Sequence, residues 1–148
     1  MGAWVTLLAT IAGASIALAG QHVARRRDSR TRIGELLLEQ CAQVVGLSDD
    51  FRVRVWEERE LGLRGRVDTW DLSGYRHAAA RLKILCDDAA LLDALEEMTE
   101  AGKELGRYWR RGGADPAEIE ARRDRDKLAR QRFVAASAGL VRRRLTAG

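Results

Sequence analysis

The chain has little of what most chemistry requires. Of its 148 residues one is proline, two are cysteine, two are histidine and none is asparagine. Cys41 and Cys86 stand alone, so neither a disulfide framework nor a four-thiolate zinc site can be assembled. No glutamate lies three residues before His22 or His77, which removes the Glu-x-x-His pattern of di-iron bundles. There is no H-E-x-x-H, C-x-x-C, phosphate-binding loop or nucleophile elbow. The adjacent acids Asp87-Asp88 and Glu96-Glu97 read as solvated helix face rather than as acid–base pairs. Neither a metal nor a cofactor is expected, and nothing points to an enzyme. One proline and 14 glycines also exclude a collagen-like or low-complexity chain. Lysine is scarce: only Lys83, Lys103 and Lys127 among 26 basic residues, leaving 23 arginines, a bias typical of a GC-rich genome.

Charge is also missing from one end. Residues 1–24, MGAWVTLLATIAGASIALAGQHVA, contain no Asp, Glu, Lys or Arg. A helix over Gly2–Val23 would be about 33 Å long, enough for a hydrocarbon layer of about 30 Å. Trp4 suits one interface, and Arg25, Arg26, Arg27, Arg30 and Arg32 mark the other. The segment therefore reads as a single-pass anchor (1–24), followed by a basic juxtamembrane stretch (25–32) and a cytoplasmic helical bundle (33–148). The arginines place the N-terminus outside and the C-terminal part inside the plasma membrane, and they can contact anionic headgroups. Ala9, Gly13 and Ala17 recur every four positions, a face that lets anchor helices pack and so favours a homodimer. Three other readings stay open: a cleaved signal peptide ending near Ala17-Leu18-Ala19, N-myristoylation at Gly2, and a buried helix of a globular protein.

The remainder reads as helices. Ile33, Leu37, Cys41, Val44, Ser48, Phe51 and Val55 are spaced as one helical stripe, widened by Leu36, Val45 and Leu47. Cys41 falls inside it as a small apolar residue rather than a reactive thiol. Gly62-Leu63-Arg64-Gly65 breaks the pattern. A second helix is expected from an N-cap near Ser73, with Tyr75, Ala79, Leu82 and Leu85/Cys86 inward. Asp87 or Asp88 caps a third, with Leu91, Leu95, Met98, Gly102, Leu105 and Trp109 inward, unless the two form one kinked helix. Gly112-Gly113 ends it, and Asp115-Pro116-Ala117-Glu118 opens the last. On that helix Glu118–Arg122 and Asp126–Arg130 are favourable i,i+4 pairs, and Leu128, Ala135, Ala138, Val141 and Leu145 are the expected apolar positions. Trp70, Tyr108 and Trp109 are expected to cap the core. No segment alternates like a strand. The fold class is all-α: a transmembrane helix followed by a small antiparallel bundle of three or four helices.

Charge then divides the bundle. Asp87–Glu104 holds seven acids and one lysine, net −6; Asp115 to the end holds nine bases and five acids, net +4. Antiparallel packing would set one against the other, within a chain or between chains. A second reading makes the arginines of the last helix a nucleic-acid contact, but Asp124 and Asp126 interrupt them and only Phe133 is aromatic.

The layout resembles a set of small actinobacterial proteins with a Gly/Ala-rich transmembrane helix, an arginine-rich flank and a helical cytoplasmic part, some labelled kil-type proteins of plasmid transfer regions. AWVTLLATIAGASIALAGQHVARRRDSRTR carries most of the likeness and AAARLKIL adds to it. The resemblance implies actinobacterial origin and membrane anchoring, and brings no catalytic residue. The expected function is a membrane-anchored adaptor, regulator or accessory subunit that binds another protein; the alternative is a membrane-tethered nucleic-acid-binding protein of a plasmid or chromosome.

Overall fold

In a computed structural model, the backbone of residues 2–146 and the side chains of residues 31–144 and 146 are described. Four helices follow in order: α1 (Gly2–Leu61), α2 (Leu72–Leu85), α3 (Ala89–Arg110) and α4 (Pro116–Thr146), with a 3-10 turn at Val67–Thr69 between the first two. No strand occurs among the described residues.

Side-chain pairings give the directions. Asp49, Arg52 and Arg59 of α1 meet Arg130, Asp126 and Glu120 of α4, so α1 and α4 run antiparallel. Asp88, Glu97 and Glu104 of α3 meet Arg143, Arg132 and Arg125, so α3 and α4 are antiparallel too. The bundle runs up-down-up-down. The backbones of α3 and α4, α1 and α2, and α1 and α4 pack closely, whereas α2 and α3 meet through side chains, among them Tyr75 and Thr99.

The stops and starts have local causes. Gly112 takes φ 76°, Gly113 N–H donates to Tyr108 O at 3.1 Å and Gly112 N–H to Trp109 O at 3.0 Å. That is the Schellman closure, and the left-handed φ is why glycine stands there. Asp88 caps α3 by accepting from Leu91 N–H at 3.0 Å, so α2 and α3 are separate helices. Asp71, not Ser73, caps α2, accepting from Gly74 N–H at 2.8 Å. Asp115 accepts from Ala117 N–H at 3.0 Å at the start of α4, while Glu118 turns to Arg122 at 2.8 Å instead of back towards the cap.

Leu37, Cys41, Val44, Ser48, Phe51 and Val55 are all buried, as their spacing predicts; Ile33 and Leu36 are exposed. The larger core joins α1, α2, α3 and α4 through Leu37, Val44, Leu82, Leu95, Met98 and Phe133. A smaller one joins Phe51, Val55, Val67, Leu105 and Ile119, and Trp70 packs against both. On α4 the inward stripe is Ile119, Asp126, Ala129, Phe133, Ser137 and Leu140. This corrects part of the expected register: Leu128 and Ala135 face outward, Ala138 is half-buried, Val141 is buried as expected, and the side chain of Leu145 lies outside the described residues. The true stripe includes Asp126 and Ser137, polar residues that an apolar count passes over.

The membrane assignment is also corrected. Among the described residues no helix is long and apolar enough to cross a membrane. This overturns the expected transmembrane helix and single-pass plasma-membrane localisation. Helix α1 runs through the expected boundaries at residues 24 and 32 and continues to Leu61 as a bundle helix. The side chains on which the expectation was built lie outside the described residues. They include the packing face Ala9, Gly13 and Ala17 and the arginines Arg25, Arg26, Arg27 and Arg30; Arg32 is described and exposed.

Candidate functional site

Where α2 and α3 diverge, a cleft of about 300 Å³ opens onto α1, between the two hydrophobic clusters. Its floor is apolar and aromatic. The ring centroids of Phe51 and Trp70 are 4.9 Å apart, those of Trp70 and Tyr75 are 5.5 Å apart, and Met98 and Leu72 complete the wall. The floor is fixed by hydrogen bonds. Trp70 Nε1 donates to Leu47 O at 2.8 Å. Thr99 Oγ1 donates to Leu95 O, so the Tyr75 hydroxyl donates to Thr99, at 2.8 Å. Burial pushes the Tyr75 phenol up and keeps it neutral.

The rim is cationic. Arg76 comes from α2; Lys103, Arg107 and Arg110 follow along α3, one helical face by their spacing. No carboxylate lines the cleft. Glu100 beside it meets Lys103 at 2.5 Å and Arg107 at 3.9 Å, and Asp68 meets Arg110 at 3.8 Å. Four cations thus face two outlying carboxylates, a local net of +2. Arg76 has no ion pair among the described residues. Gly102 and Gly106 bring the α3 backbone close to its neighbours: a Cβ on Gly106 would meet Phe51 Cζ at 3.0 Å.

The opposed charges of α3 and α4 are used within the chain. Arg122 and Arg125 reach Glu104, Arg132 reaches Glu97, Arg143 meets Asp88 at 3.0 Å and Arg144 meets Asp87 at 3.6 Å. The expected Asp126–Arg130 pair is replaced by a crossed one. Arg130 goes to Asp49 at 2.8 Å and Asp126 takes Arg52 of α1. Trp109 is half-buried as expected, with Nε1 donating to Glu58 at 2.6 Å.

No metal-holding group of acids, cysteines or histidines occurs among the described residues. Cys41 is buried and its thiol is pushed up by desolvation. The cationic rim was not singled out from sequence. Its signal was the spacing of Lys103, Arg107 and Arg110, hidden because the acidic run Asp87–Glu104 ends just before Arg107.

The comparison with protein families falls on these same helices. Residues 72–143 match the KilB plasmid transfer protein family. The match begins at the first residue of α2 and ends in the last turn of α4, covering both cleft-forming helices and the charged seam between α3 and α4 except Arg144. The resemblance to kil-type plasmid proteins is therefore shown, but at the other end of the chain from where most of the likeness was read. AAARLKIL lies inside the KilB region and residues 3–32 lie outside it. No curated protein and no solved structure matches the chain.

Proposed function

We propose that the chain is an accessory protein of plasmid transfer whose helical bundle docks another protein of the transfer apparatus, as an adaptor or regulator. The observation that carries this reading is the KilB match across α2, α3 and α4. Further support comes from the outer face of α1, where Val53 is 51% and Trp56 42% exposed, three residues apart on one face. An exposed tryptophan with an aliphatic neighbour is the kind of anchor that dominates protein interfaces.

The nucleic-acid alternative is less favoured. Arg122, Arg123, Arg125, Arg130, Arg132, Arg143 and Arg144 are all paired with carboxylates of the same chain. A phosphate contact would have to displace those partners.

The reading is tested by deleting the gene in a donor strain that carries a conjugative plasmid and measuring mating frequency. A photocrosslinking amino acid at Trp56 is followed in the same donor. Transfer is expected to fall and be restored by the wild-type gene, with a discrete protein adduct at position 56. Unchanged transfer, or adducts to DNA alone, overturns it.

A further inference from the structure

The cleft between α2 and α3 joins an apolar floor to a cationic rim, a combination that bundle packing does not require. Ser48 lies on its floor, mostly buried, with a hydroxyl that solvent can still reach and that makes no hydrogen bond among the described residues. The surrounding wall is aromatic and aliphatic.

We propose that this cleft is a binding site for a small organic anion, an aromatic or short alkyl carboxylate. Its apolar body lies against Phe51, Trp70 and Met98, and its acid group meets Arg76 and Arg107 at the rim. The volume, about 300 Å³, is at the lower end of ligand pockets. That excludes a large cofactor. An all-apolar ligand would leave the rim cations unanswered, and a cation would be repelled by a rim without lining carboxylates. The guanidinium of Arg76, free of ion pairs among the described residues, offers the planar fork that binds carboxylates in bidentate fashion.

The site does not depend on the role in plasmid transfer and is tested on the purified full-length chain. Calorimetric titrations use 2-naphthoate, neutral 2-naphthylmethanol and cationic 2-naphthylmethylammonium. Saturable 1:1 binding of the naphthoate is expected, with the neutral analogue about tenfold weaker and the cation weaker still. Arg76→Glu and Arg107→Glu change only exposed or rim positions; each should weaken the naphthoate about tenfold while helicity and melting temperature hold. Met98→Trp, which fills the floor, should abolish binding. If Met98→Trp fails to fold, the two rim variants decide alone. Equal binding of all three analogues, insensitivity to both rim variants, or no binding at millimolar naphthoate overturns the proposal. So does a peptide bearing an aromatic residue between aspartates that binds more tightly than the naphthoate, which would make the site a dock for a protein segment.

Discussion

Arg52 of α1 holds Asp126 of α4 at 3.1 Å, with the aspartate side chain only 2% exposed. The contact is a charge pairing without an aligned hydrogen bond, since Asp126 Oδ2 receives none. Desolvation is the larger effect on this carboxyl. It pushes Asp126 up to about 6 against the pull of Arg52 and Arg130. A buried ion pair of this kind fixes the register of two helices more than it stabilises them.

Asp126 sets a pH dependence of defined sign. Its carboxyl binds a proton more tightly in the folded chain, at about 6, than at its ordinary value of 3.8. The contribution to stability is full below pH 3.8 and lost as pH rises through about 6, on the order of 3 kcal/mol in total. Asp126→Asn should remove that slope. Chemical denaturation at pH 4.5 and 7.5 checks it: the wild type must lose stability relative to Asp126→Asn between the two, and parallel behaviour refutes the assignment.

Glu58 has the opposite sign. Burial raises its pKa, but hydrogen bonds from Trp109 Nε1 and the backbone N–H groups of Val67, Arg66 and Gly65 outweigh it, and the carboxyl is lowered below 4.5. The stability it adds is present above pH 4.5 and lost as pH falls through the lowered value. Glu58→Ala strands the indole N–H and the Val67 amide, and is expected to cost about 1–3 kcal/mol at pH 7. The loss should shrink on acidification, which melting curves across pH 3–7 will read.

Two glycines in helix interiors should respond differently. Gly46 has nothing within 4 Å of a built Cβ, so Gly46→Ala is expected to stabilise by about 0.5–1 kcal/mol. Gly106 already sits against Phe51, so Gly106→Leu is expected to destabilise by about 1–3 kcal/mol through overpacking. A Gly106→Leu chain as stable as wild type would show that the Phe51 contact is not tight.

Asp88 both caps α3 and pairs with Arg143 of α4. Asp88→Ala should cost about 1 kcal/mol. Arg143→Ala should cost less, about 0–1 kcal/mol, because its side chain is exposed. Salt should shrink the Arg143 effect and leave most of the cap effect in place, as denaturation at low and high ionic strength will show.

Much of the architecture was legible because it follows from local rules. The α1 stripe from Leu37 to Val55 is periodic, and Gly112-Gly113 and Asp115-Pro116 punctuate the chain at positions where only those residue types satisfy the backbone. The opposition of α3 acids to α4 bases follows from composition and an antiparallel hairpin. The α4 register did not follow. Asp126 looks like a surface residue until Arg52, 74 positions earlier, is folded against it.

The sequence by itself determined that the chain is helical, where three of its helices end or begin, and which charged segments would meet. These are short-range properties of backbone and periodicity. Only the tertiary structure decided that Arg76 of α2 and Arg107 of α3 frame one cleft. It also decided that Ser48 of α1 lies on the floor of that cleft. Each depends on residues from different helices meeting at a junction, and no spacing within a single helix encodes that meeting.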